Sequence, residues 1–388
     1  MSEQLVYTRK HEKIRQWILD SIRKGEIVPG DIIPSEAELC RKFDAARGSV
    51  RQAISGLVNE GWLRSRKGVG TFCVMKDRQL TMDIGLVCFF SGSYIFPRIS
   101  RGCDQVAHRR GFHIVLNQSE DDPAREREIL EKLRHRGVDG ILIEPVFDGS
   151  VGTGASPSNA DLLEQIDAAG TPVILLDNYF PGRSFTRVAM DDAAGGRLVA
   201  AHLLERGHRN VGIICDSGYL PKRLRRDGAV SSLAEAGAAP REEWLIDYKG
   251  PVSSGRAAGA LQALFDRAGA LQAGSQGDGS QGGPPSGGSL PTAFICTSDE
   301  EAVELYKVAG SRGVRIPQDL SVISFDNSSL ADLPGISLTS VDHPGQYMGE
   351  LAVQLLLERL LNPGVASTTT SLIAPRLVER GSVLDIQR

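Results

Sequence analysis

Residues 29–72 read PGDIIPSEAELCRKFDAARGSVRQAISGLVNEGWLRSRKGVGTF, and this stretch decides the fold of the N-terminal part of the chain. Pro34-Ser35-Glu36 predicts the start of a short helix that runs to about Phe43, with Ser35 as its N-cap. A brief turn leads into a second helix over 47–60. Its apolar positions at helical spacing are Val50, Ile54, Leu57 and Val58. Two helices joined by so short a turn are typical of a helix-turn-helix.

The flanking residues complete the motif. Apolar residues at helical spacing predict a helix over 11–24, before the quoted stretch. After it, residues 62–64 and 71–74 predict two strands around a glycine-containing hairpin tip at 65–70. We therefore expect a winged helix-turn-helix domain over residues 1–75 and a short linker over 76–81.

Charge is unevenly distributed along the chain. The 388 residues carry a formal net charge of -4, but residues 1–75 contain 13 Lys and Arg against 9 Asp and Glu, a net charge of +4. The rest of the chain is therefore at -8. Because like charge is repelled from DNA phosphates, only the N-terminal domain is expected to contact nucleic acid.

The cysteines and the N-terminus indicate the compartment. Six cysteines without a C-x-x-C pair predict free thiols in a reducing environment. The first residues lack the apolar core of a signal peptide, and no apolar run reaches the length of a membrane span. We expect a cytoplasmic protein without membrane contact.

Residues 82–388 alternate between strand and helix signals, which predicts parallel α/β sheets. A Gly/Ser/Gln-rich stretch over 268–290 has little to bury and is predicted to be a disordered insertion. A second stretch of small residues over 149–160 is predicted to be a long loop. Strands are expected near 83–90, 113–118, 140–144, 173–177, 211–215, 293–297 and 321–326.

The N-terminal domain resembles the DNA-binding domain of the GntR family. The resemblance covers about residues 5–75 and implies binding to double-stranded operator DNA. It rests on Pro29-Gly30-Asp31, Pro34-Ser35-Glu36-Ala37-Glu38-Leu39, Val50-Arg51-Gln52-Ala53-Ile54, Glu60-Gly61 and Gly68-Val69-Gly70-Thr71-Phe72. Two residues depart from the family pattern: Ala46 stands where many relatives have a capping Ser or Thr, and Ala37 where some have a DNA-contacting arginine.

Arg47 and Arg51 lie one turn apart at the start of the recognition helix, where a guanidinium group can pair with guanine in the major groove. The alternative for both is a solvated surface charge. For Arg64, Arg66 and Lys67, a solvated charge run and direct DNA contact are equally good interpretations. The candidate DNA-binding residues are Ser35, Arg47, Gly48, Ser49, Arg51, Lys67, Gly68 and Gly70.

The C-terminal part resembles the periplasmic-binding-protein-like sensor domain of the LacI/GalR repressors. It does so through Asp139-Gly140-Ile141-Leu142, Asp191-Asp192, Ser298-Asp299-Glu300 and Ser324-Phe325-Asp326-Asn327, among others. The resemblance implies two Rossmann-like lobes. Lobe one is expected over 82–188 and 345–372, and lobe two over 189–341 and 373–388.

A sugar site needs carboxylates, amides and guanidinium groups for the hydroxyls, and an apolar wall for the C–H face. Such residues are expected beyond the carboxyl ends of the strands, between the lobes. The candidates are Tyr94, Phe96, Glu144, Asp177, Arg223, Arg225, Ser298, Asp326 and His343. Alternatives stay open: Phe96 as a core residue, Arg223 in place of Arg225, Glu144 as a support for its loop, and His343 as a hinge residue. Asp191, Asp192 and Asp299 are expected to cap helices.

The combination implies a homodimeric repressor of sugar-utilisation genes. Ser93-Tyr94-Ile95-Phe96-Pro97 and Asp342-His343-Pro344 resemble arabinose-gene repressors that join the same two modules, which implies L-arabinose as effector. Another sugar or a sugar phosphate is the alternative, and the effector either releases or promotes DNA binding. No catalytic motif, metal site or cofactor is predicted, which disfavours an enzyme. The missing signal peptide disfavours a transport protein.

Overall fold

The computed structural model describes residues 10–23, 26–27, 30–74, 80–89, 95–146, 158–274, 290–361 and 368–387, with backbone alone for 268–274. Three units follow one another: a small N-terminal domain, called the head below, and two α/β lobes that the chain enters more than once.

The head is a winged helix-turn-helix. Ser35 caps the second helix as predicted, since its hydroxyl accepts from the Glu38 N–H and the Glu38 carboxylate accepts from the Ser35 N–H. Ala46 precedes the third helix without a side-chain cap. Ile14, Leu39 and Leu57 are fully buried in the centre of the head. The elements are α1 (Lys10–Arg23), α2 (Glu36–Phe43), α3 (Arg47–Asn59), β1 (Leu63–Arg66) and β2 (Gly70–Cys73).

The wing hairpin is longer than predicted at its tip. Strands β1 and β2 pair antiparallel from Leu63 with Cys73 to Arg66 with Gly70. The hydroxyls of Ser65 and Thr71 lie 2.9 Å apart across the pair. This cross-strand contact extends the strand pairing into a segment whose polar, glycine-rich sequence predicts a loop.

Lobe one contains a six-stranded sheet in the order β13-β7-β6-β5-β3-β4, in which every neighbouring pair is parallel. Helices cover both faces, which explains why its central strands are buried apolar runs. Its elements are β3 (Asp83–Cys88), α4 (Phe96–Arg109), β4 (His113–Gln118), α5 (Pro123–Arg136), β5 (Gly140–Ile143), α6 (Ala160–Ala168), β6 (Val173–Leu176), β7 (Thr186–Met190), α11 (Gly345–Leu361) and β13 (Thr370–Ile373).

Lobe two contains a second six-stranded sheet, in the order β14-β12-β11-β10-β8-β9, and only β14 is antiparallel to its neighbour. Its elements are α7 (Asp192–Glu205), β8 (Val211–Asp216), α8 (Leu220–Glu235), β9 (Leu245–Tyr248), α9 (Arg256–Gly274), β10 (Ala293–Cys296), α10 (Asp299–Ser311), β11 (Ser321–Asp326), β12 (Thr339–Asp342) and β14 (Arg376–Val378).

The chain crosses between the lobes three times: after β7, between β12 and α11, and between β13 and β14. The seven strands that the sequence predicts are all present. Strands β7, β9, β12, β13 and β14 escaped prediction, because they are three to five residues long and several carry polar residues, as in Thr339-Ser340-Val341-Asp342.

Part of the stretch predicted to be a disordered insertion is helical. Helix α9 continues to Gly274, so residues 268–274 are helical and that part of the prediction is wrong. The alanines and leucines of this segment are strong helix formers, which favours continuation of the helix. Residues 275–289 lie outside the described residues, as does 147–157, which holds most of the predicted 149–160 loop.

The six cysteines are free thiols, as predicted, and five of them are buried. Within the described ranges, no helix is long and apolar enough to cross a membrane.

Candidate effector cleft and DNA-binding surface

The N-terminal turn of α3 is exposed, and it carries both arginines predicted to read bases. Arg47 and Arg51 are exposed, as is Gly48 between them. The Arg51 Nε lies 3.0 Å from a carboxylate oxygen of Glu36 on α2. An exposed ion pair of this kind is worth about 0–1 kcal/mol. Glu36 therefore orients Arg51 without holding it back from a stronger partner.

The wing presents Lys67 and Gly68 at an exposed tip, beside a groove that it forms with α2. Gly68 has φ +81°, a conformation that favours glycine. Ser35 and Gly70 line the same groove, and the Ser35 hydroxyl also donates to Glu38 at 2.7 Å. The candidate DNA residues thus lie along α3, the start of α2 and the wing.

Arg64 and Arg66 both reach residues outside the head. Arg66 donates to the Gly111 carbonyl at 2.9 Å, and Arg64 donates to the Leu80 carbonyl. Both guanidinium groups therefore contact the body of the protein.

The second candidate site is the cleft between the lobes, at the carboxyl ends of the parallel strands. Glu144 and Asp177 follow β5 and β6 in lobe one, whereas Asp326 ends β11 and His343 follows β12 in lobe two. All four side chains are at most 2% exposed. Polar groups that the sequence scatters over 200 residues are therefore collected at one buried edge, as expected for an α/β fold.

On the lobe-two side, Arg225 organises the cleft. Its Nε donates to Asp192 at 2.7 Å, and its Nη1 donates to Asp326 at 2.8 Å and to the Thr297 carbonyl at 2.9 Å. Helix α8 can bring Arg225 here because it packs backbone to backbone on α7: a Cβ at Gly196 would lie 2.0 Å from the Arg225 carbonyl oxygen. Any larger residue at position 196 would separate the two helices.

On the lobe-one side, Asp177 is the central acceptor. Its Oδ1 lies 3.1 Å from Nε2 of His343, and its Oδ2 accepts from the Tyr219 hydroxyl at 3.0 Å. Tyr219 precedes α8 in lobe two, and its hydroxyl also contacts Glu144. A single phenol therefore bridges the two lobes across the cleft.

The two contacts of the Tyr219 hydroxyl indicate the protonation state of Glu144. Two hydrogen bonds to two carboxyl groups need two hydrogens, and a phenol supplies one. Burial, reinforced by the Asp177 carboxylate, raises the pKa of Glu144 well above its usual range. Protonated Glu144 is thus the source of the second hydrogen, and Tyr219 donates its own to Asp177.

The pKa values of the other cleft groups are shifted in different directions. Burial raises the pKa of Asp192 to about 7 despite the neighbouring Arg225. Burial acts the same way on Asp177, but the His343 and Arg225 charges outweigh it and lower its pKa. Burial would lower the pKa of His343, yet the Asp177 carboxylate raises it. An ionised Asp177 beside a protonated His343 is the pair that the geometry favours.

Two features of the cleft are typical of a binding site. Asp177 (φ 57°) and Asp326 (φ 101°) occupy the left-handed region, which is costly for residues other than glycine and concentrates at functional sites. The Ser298 Oγ and the His343 Nδ1 are buried without a hydrogen-bond partner among the described residues. Buried polar atoms are normally satisfied, so these two point to a missing ligand or water.

The remaining predicted effector residues differ in their surroundings. Tyr94 lies outside the described residues. Phe96 is 1% exposed in the core of lobe one, which is the alternative left open for it. Arg223 is partly exposed and donates to the Ser217 carbonyl at 3.3 Å, so Arg225 rather than Arg223 occupies the buried cleft.

Two of the predicted helix caps are wrong. Asp191 caps α7 as expected, but Asp192 turns inward to Arg225. Ser298, not Asp299, is the N-cap residue of α10, and the Asp299 carboxylate accepts from three buried hydroxyls, those of Ser324, Ser328 and Ser340. Each of these aspartates lies one position inside its helix, where the side chain faces the core instead of the first-turn amides.

Sequence reasoning missed Tyr219 and Asp192. Tyr219 follows strand β8 and so satisfied the rule that selected the other candidates, namely a polar residue just beyond a strand. Asp192 gave no such signal, because an aspartate pair before a helix reads as a cap.

Family models match both parts of the chain. The model described as "Bacterial regulatory proteins, gntR family" covers residues 10–73. That described as "Periplasmic binding proteins and sugar binding domain of LacI family" covers 82–270, and a further periplasmic binding protein-like model covers 200–383. The chain joins a gntR-family domain to a LacI-type sensor domain.

Similar proteins fall into two groups. The "Arabinose metabolism transcriptional repressor" of Geobacillus stearothermophilus is 28% identical over 97% of this chain and 98% of its own length, so it spans both the gntR-family domain and the LacI-type domain. The "Ribose operon repressor" of Haemophilus influenzae is 28% identical over 79% of this chain and 82% of its own.

Similar solved structures match the LacI-type domain. A LacI family transcriptional regulator from Mycobacterium smegmatis has a TM-score of 0.62 at 25% identity, covering 78% of this chain and 99% of that one. A LacI family regulator from Enterococcus faecium with bound ribose has a TM-score of 0.61 at 23% identity, covering 78% and 99%. The fold is thus a gntR-type winged helix-turn-helix followed by a two-lobed periplasmic-binding-protein-like domain.

Proposed function

We propose that this protein is a homodimeric transcription repressor whose LacI-type domain binds a small uncharged sugar and thereby releases the head from operator DNA. The observation that carries the proposal is the buried cleft. It holds an interlobe phenol–carboxyl bridge and two buried polar atoms without partners among the described residues, in a chain that also presents an exposed recognition helix.

The charge of the cleft supports an uncharged sugar over a sugar phosphate. The Arg225 guanidinium is already shared between the carboxylates of Asp192 and Asp326, so it is poorly placed to take a phosphate. Asp177 adds a further negative charge nearby. A dianion would face the carboxylates of Asp177, Asp192 and Asp326, whereas hydroxyl groups can both donate to these oxygens and accept from His343.

L-arabinose is the effector that we propose first. The name of the relatives that align over almost the whole chain refers to arabinose metabolism. Relatives and structural neighbours named for ribose or cellobiose keep other sugars as the second choice.

Sugar and DNA act on one equilibrium in this proposal. A ligand shifts two conformations only by its differential affinity for them, so sugar weakens operator binding and the operator weakens sugar binding by the same factor. For an ordinary allosteric protein this coupling is about 1–3 kcal/mol.

The relatives are named as repressors, which supports a regulator rather than an enzyme. In the part of the chain that the structure describes, no cluster of three or more metal-binding side chains is found.

Fluorescence anisotropy tests the proposal. The full chain is titrated onto labelled DNA from upstream of its own gene at fixed salt, with and without L-arabinose, D-ribose and L-arabinose 5-phosphate. Specific binding that an uncharged pentose weakens supports the proposal. Binding that responds only to the phosphate would overturn the assignment of effector class. DNA binding without sequence preference would overturn the repressor function itself.

The Asp326→Asn variant serves as the control, because it removes one carboxylate from the cleft and leaves the recognition helix untouched. We expect normal operator binding with a weakened response to sugar. Circular dichroism establishes that the variant is folded.

A further inference from the structure

The head is seated on lobe one through a residue that belongs to the wing. Phe72 of β2 is 1% exposed, yet it packs in the core cluster of lobe one, with Leu80, Met82 and Phe112, and not in the core of the head. Val69 of the wing packs against the same cluster. A large aromatic side chain turned out of its own small domain and fully buried elsewhere indicates a specific interface.

The surface that receives Phe72 is the turn between α4 and β4. Gly111 in this turn has φ +77°, and a Cβ there would lie 2.4 Å from the Phe72 ring. The absence of a side chain is thus what lets the ring pack against the turn. Neither Gly111 nor Phe72 serves the sugar cleft or the DNA surface described above.

Polar contacts surround this apolar centre. Arg66 donates to the Gly111 carbonyl at 2.9 Å and contacts the His113 ring at 2.8 Å. Arg110 forms an ion pair with Asp31. Asp31 precedes Ile32, which pairs with Phe72 of β2 in an isolated antiparallel bridge. A buried aromatic centre with a polar rim is the usual anatomy of a protein interface.

Helix α4 connects the turn at 110–113, called the seat below, to the sugar cleft. Its 14 residues span about 21 Å. At its first turn Arg98 pairs with Asp342 of lobe two at 3.3 Å, and Asp342 also accepts from Asn327 at 2.9 Å. Asn327 and Asp342 are the sequence neighbours of the cleft residues Asp326 and His343. One helix therefore touches the lobe-two rim of the cleft at one end and reaches the head at the other.

We propose that the turn at 110–113 is the docking surface of the head, and that α4 carries relative movement of the lobes to it. The second half rests on the proposed function. A lobe movement that displaces Asp342 shifts α4 through Arg98, and the seat moves with the helix because the helix is a rigid element. The wing follows through Phe72, so the spacing of the two heads of a dimer changes.

The docking half is tested without sugar or DNA, by small-angle X-ray scattering of the full chain. The variant Phe72→Ala, combined with Arg66→Ala, is expected to have a larger radius of gyration and maximum dimension than the wild type. Arg109→Ala, at an exposed neighbouring position outside the interface, is the matched control. Unchanged dimensions in the double variant would overturn the docking surface.

A charge exchange tests docking and transmission without removing the aromatic core. Asp31→Arg and Arg110→Asp, made singly, place like charges opposite each other. Each is expected to reduce the ratio of operator Kd with and without L-arabinose by about threefold or more, a coupling within the usual range for residues in contact. The two changes together are expected to restore the ratio to within about twofold of the wild type. Arg109→Asp should leave it unchanged.

The outcomes separate the two proposals. Single variants that keep the wild-type ratio would overturn transmission through the seat, while the repressor function stands. A wild type that binds operator but ignores L-arabinose would overturn L-arabinose as effector; the Kd ratios are then measured with D-ribose, and the scattering comparison decides the docking in either case.

Discussion

At the scale of the residue, the cleft depends on side chains in unusual electrostatic states. Glu144 shares a phenol with Asp177, and Arg225 shares its charge between two aspartates. Buried charges are tolerated only when each has a partner. Arg225 finds both partners within lobe two, whereas Tyr219 and His343 of lobe two supply partners to Asp177 of lobe one, so this side of the cleft is assembled only when both lobes are folded.

Tyr219 is expected to control how readily the cleft opens. Tyr219→Phe removes the hydroxyl that bridges Glu144 and Asp177 and leaves the ring contact with Phe89, whose centroid lies 5.8 Å away. Isothermal titration calorimetry should show a change in sugar affinity of about tenfold to 150-fold, as expected for one hydrogen bond to a charged group. Sugar affinity equal to that of the wild type would show that the bridge has no part in binding. Tyr179→Phe, at a partly buried tyrosine of lobe one, is the matched control.

Glu126 makes stability depend on pH. Its carboxylate accepts from the Val146 N–H and the Asn159 amide, and burial raises its pKa to about 7. The folded chain therefore binds this proton more tightly than the unfolded chain does. Stability is lost as the pH rises from about 4 to 7, by at most about 3 kcal/mol for this group. Asp192, with its pKa also raised to about 7, acts in the same direction.

Urea unfolding at pH 5 and pH 8 measures this dependence. Glu126→Gln cannot ionise, so its free energy of unfolding should fall less between the two pH values than that of the wild type. Glu128→Gln, at an exposed position on the same helix, should follow the wild type. If the free energy of unfolding changed by the same amount between pH 5 and pH 8 in all three proteins, Glu126 would not titrate in this range.

At the scale of the element, function lies at the ends of helices and strands. The start of α3 presents its arginines, the carboxyl ends of β5, β6 and β11 present the cleft carboxylates, and the two ends of α4 contact lobe two and the head. Regular elements place these ends rigidly, so each site inherits its geometry from the packing of the sheet.

The recognition helix gives a prediction of its own. Arg51→Ala removes the guanidinium that is expected to pair with a guanine, and should cost about 1–3 kcal/mol of discrimination between operator and random DNA. Sugar affinity without DNA should not change. Gln52→Ala, exposed on the same turn, is the control. Anisotropy with both DNAs measures the difference, and full discrimination in Arg51→Ala would reject the base-reading role.

Most elements were predictable because their signals are local. Helix α2 follows from its Ser35 cap and α3 from the spacing of Val50, Ile54 and Leu57, and the buried parallel strands follow from short apolar runs. Strand β12 was not predictable, since Ser340 is buried through its contact with Asp299, a residue 41 positions away. Phe72 was missed for the same reason, since its partners lie in another domain, whereas Tyr219 lay within the strand-end rule that selected the other cleft residues.

At the scale of the whole molecule, the charge separation between the head and the rest of the chain is the dominant feature. Residues 1–75 carry +4 and the remainder -8. DNA phosphates attract the head and repel the lobes, which favours an orientation with the lobes away from the duplex.

Salt is expected to separate the two binding activities. Operator affinity should fall steeply as salt rises, because phosphate contacts release counterions, whereas affinity for an uncharged sugar in a buried cleft should barely change. Anisotropy and calorimetry at 50 and 200 mM salt measure both quantities. Sugar affinity that falls in parallel with operator affinity would contradict binding of an uncharged sugar in a buried cleft. Lys67→Ala should reduce the slope of the operator titration, since it removes one wing cation.

The contact between Phe72 and Gly111 has a consequence for modularity. Regulators of this architecture look like two interchangeable parts joined by a short connector, which invites the design of chimaeras with new operator preferences. A grafted head that lacks an aromatic residue at the position of Phe72, or a recipient lobe with a side chain in place of Gly111, would keep both binding activities and lose their communication. A graft that keeps this communication must therefore transfer the wing together with the turn at 110–113.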